Sequence, residues 1–116
     1  MPASHATGGV IHSVVISGDG DIGEGPVDVN LTFIGVGGAV SASVNWTATL
    51  TDFEGSPIDS KTGNVIVEDG VLISVDTSLN NAPLGYSNLT VTLTGDIGTP
   101  NSSQYISWSE VIHRLR

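Results

Sequence analysis

Hydrophobic and polar residues alternate with a period of two along most of this chain, the period of a β-strand that buries one face. Val27, Val29, Leu31 and Phe33 alternate with Asp28, Asn30 and Thr32. A longer series, Val40, Ala42, Val44, Trp46, Ala48 and Leu50, alternates with Ser41, Ser43, Asn45, Thr47, Thr49 and Thr51 and predicts the clearest strand of the chain. Leu89, Val91 and Leu93 alternate with Asn88, Thr90, Thr92 and Thr94. Shorter β-rich runs at 10–17, 64–67, 71–75 and 104–112 bring the total to about seven strands. No window carries a helical stripe of apolar residues at i, i+3 and i+4, except a marginal turn or so in the final SEVIHRLR.

Turn signals separate these runs: Gly37-Gly38, Glu54-Gly55-Ser56-Pro57, Asp69-Gly70 and Gly95-Asp96-Ile97-Gly98. Glu68-Asp69-Gly70 predicts a tight hairpin joining NVIV to VLISV. The pattern predicts an all-β fold, an antiparallel β-sandwich with Greek-key connections. The stretch TATLTDFEGSPIDS resembles the third strand and following turn of the immunoglobulin-like modules of bacterial, archaeal and viral surface and virion proteins. NNAPLGYSNLTVTLTG is similar to their penultimate strand, and Trp46 stands at the usual place of their core Trp. The resemblance implies an Ig-like sandwich over 10–116, preceded by an N-terminal arm over 1–9 that has no core-forming pattern. One departure is Tyr86, which shares the alternation class of the outward Asn88 and Thr90, whereas a tyrosine corner needs the inward register unless a bulge at Ser87 intervenes.

The 116 residues are one domain's worth of chain, and the absence of Cys leaves stability to packing. Twelve acids against three Lys and Arg give a net charge of −9, with Lys61 the only cation before residue 114. That balance offers no basic surface for phosphates, and nucleic acid is not an expected partner. No run of apolar residues is long enough for a membrane-spanning helix, so membrane insertion is not expected either. The opening MPASHATGGV lacks the basic and apolar regions of a signal peptide, which predicts use without secretion or prior removal of a leader. Only 13% of residues are charged, about half the usual ~25%. Ser, Thr, Asn and Gly must then make up much of the surface.

Residues 17–26, SGDGDIGEGP, hold three carboxylates and invite a calcium reading. An EF-hand loop begun at Asp19 would have Asp21 at its third position, but Gly23, Glu24 and Asn30 stand where an oxygen ligand, a Gly and a bidentate Glu belong. A looser cage of Asp19, Asp21, Glu24 and backbone carbonyls stays open for Ca2+. Its competitor is a plain turn, in which glycines supply positive φ and Asp side chains bond their own backbone. His5, His12 and His113 lack the spacing of a zinc site, and His12 reads as an exposed or half-buried strand residue. No Ser, His or carboxylate constellation suggests catalysis, so no enzymatic activity is expected and no cofactor is called for.

Four sequons, at Asn30, Asn45, Asn88 and Asn101, are candidate glycosylation sites, although a period-two polar face produces the same pattern. The outward ladders are uncharged, without the Lys or Glu that usually guards exposed sheet surfaces. Thr47, Thr49, Thr90 and Thr92 are therefore candidate interface residues. Arg114 and Arg116 join them as the cations that could pin the C-terminus to the chain's own acidic body or to an acidic partner. The leading functional expectation is a non-enzymatic structural module that self-associates or docks on a larger assembly, as a decoration or appendage protein of a phage or archaeal virion. The alternatives are a secreted prokaryotic surface subunit, such as a pilus or surface-layer component, and a calcium-dependent or carbohydrate-binding adhesion module. The last would need exposed aromatics, for which Tyr105 is the evident outward candidate, while Trp46 and Trp108 read as core.

Overall fold

The computed structural model describes residues 8–17, 25–98 and 106–114, and the backbone of 21–22. Among these residues there is no α-helix. Eight strands follow one another: β1 (Gly8–Ile16), β2 (Asp21–Ile22), β3 (Val27–Val36), β4 (Ala42–Asp52), β5 (Pro57–Val67), β6 (Leu72–Leu79), β7 (Gly85–Gly95) and β8 (Ser107–Arg114). They form a three-stranded sheet in the order β1-β3-β6 and a five-stranded sheet in the order β2-β8-β7-β4-β5. Every pairing is antiparallel except that of the two-residue β2 with β8. The fold is thus all-β, as the period-two pattern predicts.

The apolar half of each alternation faces the space between the sheets. Val27, Val29, Leu31 and Phe33 of β3 are buried, as are Val44, Trp46, Ala48 and Leu50 of β4 and Leu89, Val91 and Leu93 of β7. Trp108 is half-buried and packs against this core. Because side chains alternate strictly, burying one face of β4 and β7 fixes what the other face presents.

Four elements differ from the sequence reading. Val40 is 81% exposed rather than the first inward residue of β4. Gly37, Gly38 and Ser41 all have positive φ, which an extended strand cannot contain, so alternation begins at Ala42. The marginal helical turn in SEVIHRLR is absent among the described residues, and the β-rich run at 104–112 continues as strand β8: Ile112 points into the core, and Gly85 through Thr92 of β7 pair with its backbone. Gly8 and Gly9, placed by the sequence in an N-terminal arm, belong to β1 and pair with Val36 and Gly35.

The fourth is the connection at Glu68-Asp69-Gly70, which makes no hairpin. β5 and β6 lie in different sheets, and the turn carries the chain from one to the other. It is held from outside: Gly35 N–H donates to Glu68 O, Asp69 N–H to Ala39 O, and Gly70 N–H to Gly35 O. Close approach here depends on two paired glycines. A Cβ on Gly35 would overlap the Glu68 carbonyl, and one on Gly9 would fall 2.6 Å from a Val44 methyl and 2.9 Å from a Val67 methyl. Beside them, Gly9 also donates to Asp96 O and accepts from Gly98 N–H. The predicted turn at 95–98 is therefore a rail along the start of β1.

At one edge of the molecule β5 and β6 lie side by side, each the last strand of its sheet. Asp59 Oδ2 accepts from Asn80 N–H at 2.7 Å, and Lys61 Nζ donates to Ser78 O at 2.8 Å. An inward-pointing Asp and Lys thus close the gap between two open edges, a known guard against edge-to-edge pairing.

Candidate functional site

The outward half of the alternation assembles one continuous surface on the five-stranded sheet. Across it Thr47 pairs with Thr92 and Thr49 with Thr90, so the four threonines singled out in the sequence sit side by side at its centre. Asn45 faces Thr94, and Thr51 faces Asn88. On one flank β5 adds Ser60, Thr62 and Asn64, opposite Thr49, Thr47 and Asn45. On the other, β8 adds Ser107 and Ser109, opposite Thr92 and Thr90. Ser60 and Thr62 escaped the sequence reading, because the inward positions of early β5 are Asp59, Lys61 and Gly63, which give no apolar alternation to detect.

The surface is tied together by its own side chains. Asn64 Nδ2 donates to Ser43 Oγ at 2.8 Å and to Asn45 Oδ1 at 3.0 Å, and the Thr49 and Ser60 hydroxyls lie 3.4 Å apart. Such cross-strand pairs stabilise a sheet by a few tenths to about 1 kcal/mol each. No Asp, Glu, Lys or Arg occupies an outward position of β4, β5, β7 or β8, in a chain whose net charge is −9.

One end of this surface turns apolar. Tyr86 stacks on His113 with ring centroids 4.4 Å apart, and Val111 lies beside them, opposite Asn88. The regular register of β7 through Ser87 keeps Tyr86 on the outer face, 59% exposed, so no bulge turns it inward to form a tyrosine corner. Next to Tyr86, the Phe53 and Leu84 side chains line a cleft of about 570 Å³ with Pro83 and Asp52. Asp52 shapes that corner: its Oδ1 accepts from Glu54 N–H and Ser56 N–H, both at 2.9 Å, fixing the β4–β5 turn that displays Phe53. At the opposite end Ile66 of β5 is also exposed.

The remaining sequence candidates fall elsewhere. Arg114 has the inward register of β8, and its Nη1 donates to Gly25 O at 3.1 Å and Ala82 O at 3.2 Å, away from the threonines. Asn30 lies on the outer face of the three-stranded sheet, where its Nδ2, the atom a glycan would take, donates to Asp76 Oδ1 at 2.8 Å. Asn45 and Asn88 lie within the neutral surface. His12 is the extra residue of a bulge in β1, exposed to solvent. Asp19, Glu24, Asn101, Tyr105, Arg116 and His5 lie outside the described residues, and Asp21 is placed only by its backbone, opposite His113. Among the described residues no three acidic or His side chains gather as metal ligands.

No protein-family model matches this chain, and no curated protein matches it significantly.

Proposed function

We propose that this chain is a non-enzymatic, immunoglobulin-like structural module that decorates or extends a virion. The strand orders support the Ig-like reading: β1-β3-β6 correspond to strands A, B and E, and β8-β7-β4-β5 to G, F, C and C′, with buried Trp46 on strand C. The observation that carries the assembly reading is the uncharged four-strand face of a strongly acidic chain. A free-standing acidic domain gains solubility from charge spread over all its surfaces, whereas a face without charge favours contact with another protein. Mass spectrometry of particles purified from the native source tests this. The protein should be present in fixed stoichiometry with the capsid subunits; its confinement to other fractions rejects the reading.

A second reading, a secreted surface subunit, is favoured by the position of Asn45, which is exposed on that same face. The two readings exclude one another there. A glycan on Asn45 or Asn88 would stand in the middle of the surface that assembly needs, so the intact mass of native protein separates them.

A further inference from the structure

We propose that the outer face of the five-stranded sheet pairs with the same face of a second copy of this chain, forming a two-fold symmetric dimer. The inference rests on the assembly reading above and names the occupant of its surface.

Charge makes the first selection. Two copies each carrying −9 repel wherever acidic side chains meet, and the outward positions of β4, β5, β7 and β8 let them touch without bringing a carboxylate of those four strands into the contact. An acidic or a basic partner would find no charge here to match, whereas a second copy offers an equally neutral surface of identical dimensions. Size makes the second. Four strands at about 4.8 Å spacing, with four or five outward positions each at roughly 6.8 Å, span on the order of 600 Å² in projection. Side-chain relief brings that close to the ~800 Å² per partner of a stable interface.

The distribution of apolar groups makes the third. Phe53, Leu84 and Tyr86 protrude at one end of the face and Ile66 at the other, all more than half exposed, with the hydroxyl ladder between them. A two-fold axis lying in the contact plane and running along the strands brings the Phe53, Leu84 and Tyr86 end of one copy onto the same end of the other. The centre meets the centre. There Thr47, Thr49, Thr90 and Thr92 contribute methyl groups to packing, while their hydroxyls exchange hydrogen bonds across the contact or through trapped water. Two sheets of the same twist pack face to face in this manner inside sandwiches.

Sedimentation equilibrium on the full chain over micromolar to millimolar concentrations tests the pairing. A reversible dimer is expected. Thr90→Lys and Thr90→Glu, each placing like charges close together near the axis, should each weaken it on the order of 100-fold or more while leaving the melting temperature of the monomer unchanged. An equimolar mixture of the two variants should associate again. A wild-type chain that stays monomeric at ~1 mM, or a dimer indifferent to both substitutions, overturns the inference. A monomer found on particles sinks the self-pairing and leaves the assembly reading standing. A face-dependent dimer found on no particle does the reverse.

Discussion

The indole of Trp46 lies against the backbone of Gly63, its partner across β4 and β5, so closely that a Cβ on Gly63 would fall 2.7 Å from Cε2, Cζ2 and Nε1 of the ring. A missing side chain on the edge strand makes room for the largest one in the core. Gly63→Ala should therefore cost about 1 to 3 kcal/mol, through overpacking. Urea unfolding gives that loss, and a changed near-ultraviolet circular dichroism signal from Trp46 would trace it to the ring. A change in stability below ~0.5 kcal/mol would mean that the ring has room to move aside.

Glycines at the closed end should behave differently from those in the turns. Gly35→Ala drives a methyl into the Glu68 carbonyl, where the chain crosses between sheets, and should cost about 3 kcal/mol or more. Gly55→Ala meets no neighbouring atom and bears only the strain of φ 88°, about 1 kcal/mol. Thermal melts of both variants check the order, and equal losses would remove the close approach as the reason for Gly35.

Asp59 links the edge to pH. Hydrogen bonds from Asn80 N–H and Ser60 N–H hold its carboxyl below the ordinary carboxylate value, with a smaller contribution from Lys61. A depressed folded-state pKa stabilises the fold above the unfolded-state value of ~3.9 and is lost as pH falls through the folded-state value. Asp59→Asn should therefore melt below wild type at neutral pH, and the gap should close as pH falls toward ~2. A gap that persists at the acid end would assign the effect to geometry alone.

Ser87 is the opposite case. It is buried opposite Asp52 and Ile112, and its hydroxyl has no hydrogen-bond partner among the described residues. Removing an unsatisfied buried hydroxyl recovers its desolvation cost, about 1 kcal/mol or more. Ser87→Ala should thus raise the melting temperature by roughly 3 to 6 °C. A lower melting temperature would show that the hydroxyl does bond in solution.

Much of this architecture is legible in the sequence, for a local reason. Val27 to Phe33 and Ala42 to Leu50 alternate because one sheet face is buried, and the same alternation places Thr47, Thr49, Thr90 and Thr92 outside. What escapes is set by distant partners. NVIV-EDG-VLISV has the same residues whether its strands pair or cross between sheets, and the decision lies in bonds from Gly35 and to Ala39, some thirty positions away. Likewise 57–63 reads as turn and polar segment, since its inward residues sit at an edge and bond to Asn80 and Ser78 rather than to a core. Phe53 and Leu84 lie in loops, where alternation defines no face, so the apolar end of the candidate surface becomes visible only in three dimensions.

The tether from Lys61 to Ser78 has a consequence for proteolysis. The chain holds one Lys and two Arg, the latter at positions 114 and 116, so trypsin can divide its body only after residue 61. That bond lies within a paired strand whose lysine is already engaged, and a protease must wait for β5 to peel away before it can bind an extended segment. Where reclosing is faster than cleavage, the rate of a single tryptic cut becomes a direct gauge of the fraction of molecules in which this one edge stands open.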